Sequence, residues 1–310
     1  MTVDARPRIA IARLPTAPGV YRFRDRDGRV LYIGRATELR GRVASYWSDL
    51  ADRTHLAAMV RRIQRIDAVA CDSAHEAAWL ERNLLEQSMP RWNRTAGGQE
   101  VPVWIRLDRG PATPGLSVVH EHQVTGDATD FGPYLGGLRV RQAVAGLDRV
   151  LPLAYTGTRV RGTERDMARV RRVATGDRQE LADRITAVLS REATAVALAR
   201  AALAEARDRA SENLAFELAG RIQAEVEALG WITSPQRVTT SAPEDIDVYG
   251  WSDDVLIRFG IRAGRLCVWS QRAATRDRAA ALLAATPEAW RAFAQRNAEL
   301  AAGLARGPSA

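Results

Sequence analysis

Two short motifs, Gly19-Val20-Tyr21 and Tyr32-Ile33-Gly34, flank a loop that contains Asp27-Gly28. The residues beside each motif are rich in β-branched and aromatic types, a composition typical of strands. Asp-Gly favours the positive φ that a tight hairpin turn needs. The sequence therefore predicts a β-hairpin whose adjacent strands could direct two tyrosine hydroxyls to a common point.

Side chains downstream of this hairpin could complete a phosphodiesterase site. Arg35, Arg40 and Arg42 follow it closely, and Glu81 lies in a later amphipathic segment. Arginine makes planar, forked contacts with phosphate oxygens. A tyrosine hydroxyl can pass a proton, and a single carboxylate suits Mg²⁺, which keeps several water ligands. Together these residue types indicate metal-assisted cleavage of a phosphodiester.

Five blocks of residues resemble, in order and spacing, the GIY-YIG nuclease domain in the form found at the front of the UvrC excinuclease family and in its short homologue Cho. The blocks are residues 18–21, 31–36, 39–43, 76–84 and 90–93. The resemblance implies an α/β (α+β) fold in which helices flank a small central sheet. It also implies a metal-dependent endonuclease that nicks one strand of damaged duplex DNA in nucleotide excision repair.

The resemblance assigns roles to residues of the site. Glu81 would be the one protein ligand of a divalent ion, Mg²⁺ or Mn²⁺, and the catalytic residues would be Tyr21, Tyr32, Arg42 and Asn93. We expect Tyr32 to be the acid–base group and Tyr21 to orient water or phosphate, an assignment that the residues alone leave open. A neighbouring cation such as Arg42, or the metal, is expected to lower the tyrosine pKa.

Arg35, Arg40 and Tyr46 are the predicted contacts to DNA phosphate. Arg35 stands where relatives often carry lysine, so it keeps the positive charge but cannot pass a proton. For Arg40 a solvated helix charge is an equal alternative, and Tyr46 could equally be a packing residue. For Glu81 the alternative to a metal ligand is a salt bridge on the helix surface with Arg82 or Arg91.

The basic charge of the chain is unevenly distributed. The 310 residues carry a formal net charge of +8, and residues 1–94 hold 17 arginines against 11 acidic residues. Such concentrated charge favours nucleic acid over a membrane as the partner, although a solvated face is the alternative reading of charge alone. The resemblance to the nuclease family implies that this nucleic acid is damaged double-stranded DNA.

Cysteine usage and hydropathy restrict the class of protein. The two cysteines, Cys71 and Cys267, are far apart and belong to no metal-binding motif, which argues against a zinc site, an iron–sulfur cluster or a disulfide framework. No apolar run approaches the roughly 20 residues that span a bilayer, and the N-terminus lacks the apolar core of a secretory signal. We expect a cytoplasmic protein with no membrane contact.

The sequence predicts four segments. Residues 1–95 are the nuclease domain, in the order hairpin, helix, helix, strand, helix. Residues 96–160 are a UvrC-like α+β segment that lacks the family's cysteine cluster, so no iron–sulfur cluster is expected. Residues 161–235 are helical, and residues 236–310 are a small sheet and two helices that end before the family's second nuclease domain. Smaller expectations are a capping box from Ser73 to Glu76, a linker at 95–100, a loop at 132–137 and a disordered tail at 307–310.

Residues 210–229 of the helical region resemble the motif with which the family contacts the protein UvrB. The resemblance makes Phe216 and Glu217 the predicted contacts to a UvrB-like partner. The core of a coiled coil is an equally good interpretation of Phe216.

Two other functions compete with the repair endonuclease. One is a non-catalytic DNA-binding adaptor of the repair machinery, and the intact set of motif residues argues against it. The other is a GIY-YIG nuclease that acts on other DNA structures, as in restriction or branched-DNA resolution. The UvrC-like sequence after residue 95 argues against that reading.

Overall fold

The computed structural model describes residues 5–48, 54–93, 100–123 and 126–306. The chain divides into two compact units, of which one comprises residues 1–99 and 235–310 and the other residues 100–234. The predicted segments at the two ends of the chain thus share the first unit, and the two middle segments make up most of the second. The predicted linker and tail fall largely at 94–99 and 307–310, outside the described residues.

The N-terminal part of the first unit follows the predicted order. Its elements are α1 (Ala5–Arg13), β1 (Gly19–Arg24), β2 (Val30–Ala36), α2 (Leu39–Ser48), α3 (Thr54–Val60), β3 (Arg65–Ala70) and α4 (Ala74–Gln87). Helix α1 was not predicted, because nine residues are too short for a clear apolar period. It forms where Ala10 and Ile11 pack on the core of the unit.

The three strands form an antiparallel sheet in the order β2-β1-β3. Gly28 has a φ of +79° in the hairpin turn, as Asp-Gly predicted. Tyr21 pairs with Gly34 and Phe23 pairs with Tyr32. Side chains alternate along a strand, so both motif tyrosines lie on the same face of the sheet, where α2 packs.

The start of α4 satisfies only half of the predicted capping box. The Ser73 hydroxyl accepts the backbone N–H of Glu76 at 2.9 Å. The buried carboxylate of Glu76 instead accepts the N–H groups of Asp72 and Arg237, at 2.7 and 2.9 Å. A distant segment of the chain therefore takes the place of the local partner.

The second unit has an antiparallel sheet in the order β5-β4-β6, and its described residues form five α-helices and two short 3₁₀ helices. The elements are β4 (Val103–Asp108), β5 (Leu116–Val119), β6 (Ala128–Tyr134), α5 (Gly137–Val150), α6 (Thr163–Arg171), α7 (Arg178–Leu189), α8 (Ala193–Glu212) and α9 (Phe216–Ile232). The prediction of a loop at 132–137 was wrong for residues 132–134, which end β6. They join the strand because β6 pairs with β4, a long-range contact that local composition does not reveal.

The C-terminal part of the first unit matches the predicted sheet and two helices. Its elements are β7 (Ile246–Ser252), β8 (Val255–Arg262), β9 (Arg265–Ala273), α10 (Arg276–Ala285) and α11 (Glu288–Ala305), with the strands in sequential antiparallel order. In the described parts of the chain, no helix is both long enough and apolar enough to cross a lipid bilayer.

The C-terminal part packs on the N-terminal sheet through polar contacts. Asp67 of β3 is buried and accepts hydrogen bonds from Nε of Arg22, Arg24 and Arg65 at 2.6–2.8 Å and from Gln271 of β9 at 2.9 Å. The Arg22 guanidinium also lies 3.7 Å from the ring centroid of Trp269. These contacts lie on the side of the sheet opposite the motif tyrosines, because Arg22 alternates with Tyr21 along β1.

Candidate active site

Three tyrosines form one cluster between the sheet and α2. Tyr21 is fully buried and Tyr32 is partly buried, and their ring centroids are 6.2 Å apart. The hydroxyl of Tyr46 lies 2.9 Å from that of Tyr21, and its ring centroid is 6.2 Å from that of Tyr32. The structure thus brings Tyr46 into hydrogen-bonding contact with the motif tyrosines, in addition to packing it in the core.

The motif glycines allow the strands and rings to approach this closely. A Cβ at Gly34 would lie 2.5 Å from the Tyr21 hydroxyl and 2.7 Å from the Tyr32 ring. A Cβ at Gly19 would lie 2.2 Å from the carbonyl oxygen of Val69 on β3. Glycine is therefore required at both positions by the space available.

The phenols of Tyr21 and Tyr32 hold their protons more firmly than a free tyrosine does. Burial is the main cause that raises the pKa of both Tyr21 and Tyr32 above the ordinary value, and the neighbouring phenol of Tyr46 adds to the effect. Arg42 lowers both pKa values, but by less than burial raises them. Arg42 therefore acts in the expected direction, but desolvation outweighs its charge, so the pKa of both phenols is raised on balance.

Arg42 lies against the tyrosine cluster. Its side chain is half-buried, and its guanidinium carbon is 5.4 Å from the ring centroid of Tyr46. Burial acts to lower the pKa of Arg42, but the phenols of Tyr21 and Tyr46 raise it and prevail. The site therefore contains a permanent cation beside two hydroxyl groups.

Glu81 projects from α4 toward the strand that carries Tyr32. Its carboxylate accepts the backbone N–H of Arg35 at 3.1 Å and lies 3.3 Å from Nε of the same arginine. The Glu81 charge is one of the causes that raise the pKa of Tyr32, so the two groups are neighbours. Glu81 therefore does form an ion pair with an arginine, but this arginine lies on β2 and not on the surface of the helix, where the alternative prediction put it.

The donor chemistry at Glu81 fits a hydrated divalent ion. One carboxylate oxygen is fixed by a backbone N–H, and the side chain remains 21% exposed. Mg²⁺ binds through one or two carboxylates and keeps several waters, so a single partly exposed carboxylate suits it. Among the residues that the structure describes, no three His, Cys, Asp or Glu side chains gather into a closed metal-binding cluster.

Two other predicted site residues make contacts with the backbone. The Asn93 amide donates to the carbonyl of Ile33 at 2.8 Å and accepts its N–H at 3.0 Å. Asn93 therefore fixes β2 between Tyr32 and Gly34. Nε of Arg40 donates to the carbonyl of Leu14 at 2.7 Å. The catalytic role of Asn93 and the phosphate contacts of Arg35 and Arg40 stay predictions.

The predicted partner residues lie in the second unit, at the turn that joins α8 to α9. Phe216 is 65% exposed, and Leu214, which sequence reasoning missed, is 74% exposed. Phe216 is therefore outside the buried core of the helix pair, and the coiled-coil alternative is wrong. Leu214 lies between α8 and α9, and its φ of +57° is incompatible with a continuous helix. The only signal in the sequence is a large apolar residue close to Phe216.

Comparison with known proteins gives a consistent match. Residues 17–94 match the family model described as the UvrC-like GIY-YIG domain. UvrABC system protein C of Syntrophotalea carbinolica is 29% identical over 252 residues, which are 77% of this chain and 40% of that protein. The same protein of Mycobacterium bovis is 30% identical over 281 residues, 84% of this chain and 42% of that protein. The chain thus spans about two-fifths of the length of these curated relatives.

A solved structure also aligns with the N-terminal region. It is the GIY-YIG N-terminal endonuclease domain of UvrC from Thermotoga maritima, bound to magnesium as its catalytic divalent cation. The alignment covers 30% of this chain and 100% of that chain, at 29% identity and a TM-score of 0.27.

Proposed function

We propose, from the premise that residues 17–94 belong to the UvrC-like GIY-YIG domain family, that the chain is a divalent-metal-dependent endonuclease that nicks one strand of damaged duplex DNA in nucleotide excision repair. The observation that carries this proposal is the convergence of Tyr21, Tyr32, Arg42 and Glu81 at one place on the sheet. The curated relatives, each a UvrABC system protein C, support it.

Phosphodiester cleavage requires an in-line nucleophile and neutralisation of the charge that develops on phosphorus. Arg42 supplies a permanent cation beside the phenols of Tyr21 and Tyr46. Arg35 adds a second guanidinium at the exposed edge of β2. When bound at Glu81, a divalent ion supplies Lewis-acid polarisation of water and of a phosphate oxygen.

The two motif tyrosines differ in burial, and this difference supports separate roles. Tyr32 is the less buried phenol and neighbours Glu81, so it is placed to hold and transfer a proton at its hydroxyl oxygen. Tyr21 is fully buried and hydrogen-bonded to Tyr46, so it orients the groups above it. The Asn93 amide holds the backbone of Ile33, between Tyr32 and Gly34 of the second motif.

The test is nicking of an end-labelled duplex that carries one bulky adduct, beside its undamaged twin, with Mg²⁺ or Mn²⁺ and with or without a UvrB-type partner. Glu81→Gln keeps the shape of the side chain but removes the charge, and we expect it to reduce nicking by about 10²-fold or more with DNA binding retained. Tyr32→Phe should also abolish the cut. Glu86→Gln, on the same helix, is the matched control because its carboxylate contacts Arg82 and Arg265 instead.

A discrete cut near the adduct that persists in Glu81→Gln would remove Glu81 from the metal role. Absence of a cut with wild type under every condition, with DNA binding intact, would favour the adaptor function.

The exposed residues Leu214 and Phe216, together with Glu217, form the surface that we assign to a UvrB-like partner. Large apolar side chains that are exposed together mark interaction sites. Phe216→Ala should weaken co-purification with a UvrB-type protein by about tenfold, as expected for an aromatic anchor worth more than 1 kcal/mol. Leu198→Ala is the control, because Leu198 is 63% exposed on α8 away from the turn. If Phe216→Ala and Leu198→Ala co-purify equally well with the UvrB-type protein, Phe216 is not part of the partner surface.

A further inference from the structure

Four arginines lie in and beside α6 of the second unit, outside the sites described above. The arginine row comprises Arg161, Arg165, Arg169 and Arg172, and all four side chains are exposed. Arg165, Arg169 and Arg172 are spaced by four and three residues, so they lie on one face of the helix and its C-terminal cap. Arg161 precedes the helix by two residues.

The opposite side of α6 holds the helix in place. Ala168 is buried and Met167 is partly buried. Arg171, which is not part of the row, donates to the carbonyl of Arg149 at the end of α5. The row is therefore presented by a packed helix rather than by an isolated one, and its arginines keep a defined spacing.

The charge of this region is not neutralised locally. Residues 159–172 contain six arginines and two acidic residues. Asp166 lies 3.5 Å from Arg169. For Arg161, Arg165 and Arg172, the described part of the chain offers no carboxylate within ion-pair distance. Elsewhere in the unit, Arg184, Arg207 and Arg209 do have acidic neighbours, at 4.0, 2.7 and 3.6 Å.

We propose that the arginine row binds the phosphate backbone of duplex DNA, as a contact additional to the active site. Arginine pairs with phosphate oxygens in a forked geometry, and backbone contacts of this kind position a protein on DNA without reading its sequence. Residues four apart on a helix are separated by about 6 Å along its axis, close to the axial rise of two nucleotides on one strand, about 3.4 Å each. The choice of DNA as the occupant rests on the proposed function.

The experiment measures the salt dependence of duplex binding by fluorescence anisotropy between 50 and 200 mM salt, in the full chain with Glu81→Gln to prevent cleavage. In that background, R161Q/R165Q/R172Q is compared with R184Q/R207Q/R209Q, which removes the same charge from paired arginines. We expect the first variant to flatten the slope of log K against log salt by about 2.7, since each phosphate contact contributes about 0.9. The control variant should leave the slope within about 0.5 of the parent. Lysine at the three positions should restore most of the slope.

An unchanged slope in R161Q/R165Q/R172Q, or an equal loss in both variants, would overturn the proposal. Thermal unfolding of each variant checks that the unit remains folded. If the triple variant does not fold, the single variants R161Q, R165Q and R172Q provide the test, each expected to flatten the slope by about 0.9. The proposed nuclease function is tested separately, by the nicking assay on the wild-type chain, in which Glu81 is intact. A wild-type chain that binds DNA through the row but makes no nick would contradict that function and leave the arginine row standing.

Discussion

At the residue scale, the protonation state of Tyr32 limits what the site can do by itself. Burial and the neighbouring phenol and carboxylate raise the pKa of Tyr32, so its hydroxyl is protonated at neutral pH. A protonated phenol can act as an acid or as an orienting donor. Action as a base therefore requires additional positive charge near the hydroxyl, beyond that of Arg42.

The raised pKa can be measured by the ultraviolet absorbance of phenolate. The difference between wild type and Tyr32→Phe isolates the titration of Tyr32, and we expect its midpoint above the ordinary tyrosine pKa near 10. Because the folded-state pKa is raised, the protonated phenol favours folding below the unfolded pKa, and this contribution is lost as the pH rises through the folded pKa. A midpoint at or below the ordinary value would show that Arg42 outweighs burial.

At the scale of the element, the geometry of the site depends on how closely the two strands of the hairpin pack against each other. Tyr21 lies opposite Gly34, and the ring occupies the space that a side chain at Gly34 would need. The position of the Tyr21 hydroxyl beneath Tyr46 therefore depends on the absence of a Cβ on the neighbouring strand.

Gly34→Ala should displace the rings of Tyr21 and Tyr32, because its Cβ would lie 2.5 Å from the hydroxyl of Tyr21. We expect the free energy of unfolding to fall by about 1–3 kcal/mol, as for an overpacked core, and nicking to fall further than stability alone explains. Chemical denaturation and the nicking assay provide the measurements. Gly303→Ala, within α11, is the control, since no atom lies within 4 Å of its added Cβ, and alanine there should stabilise the helix by up to about 1 kcal/mol. Equal effects of the two substitutions would contradict the close-packing argument.

At the scale of the whole molecule, the first unit is assembled from the two ends of the chain. Asp67 joins β1 and β3 to β9. Asn83, two residues after Glu81 on α4, donates to Val238 and Thr239 and accepts from Arg265. The helix that carries the candidate metal ligand is thus held by residues more than 150 positions away in the sequence.

Asp67→Ala should lower the free energy of unfolding by about 3–5 kcal/mol at neutral pH, because it leaves the buried guanidinium of Arg22 without its carboxylate. Asp27→Ala is the control, since Asp27 is an exposed residue of the hairpin turn and its loss should cost less than about 1 kcal/mol. Denaturant unfolding measures both.

The stabilising effect of Asp67 also has a defined pH dependence. Burial acts to raise the pKa of Asp67, but Arg22 and Arg65 lower it and prevail. The contribution is therefore present above the ordinary carboxyl pKa near 3.9 and is lost as the pH falls through the lower folded value. Wild type should lose more stability than Asp67→Ala on acidification below about pH 4. Parallel losses would show that other carboxylates dominate.

Local sequence was sufficient for the features that depend on neighbouring residues. The family resemblance identified Arg42. Asp27-Gly28 determines the hairpin turn, Ser73 determines the start of α4, and the alternation of side chains puts both motif tyrosines on one face of the sheet. These follow from turn chemistry, capping and strand alternation, which act over a few residues.

The tertiary structure alone decided the properties that depend on distant residues and on burial. It directed the Glu76 carboxylate to Arg237, placed Glu81 against Arg35 and raised the tyrosine pKa values, because desolvation depends on everything that surrounds a group. It also joined the two ends of the chain through Asp67. Contacts of this range leave no periodic signal in the sequence, since each is made by residues that fold from separate segments.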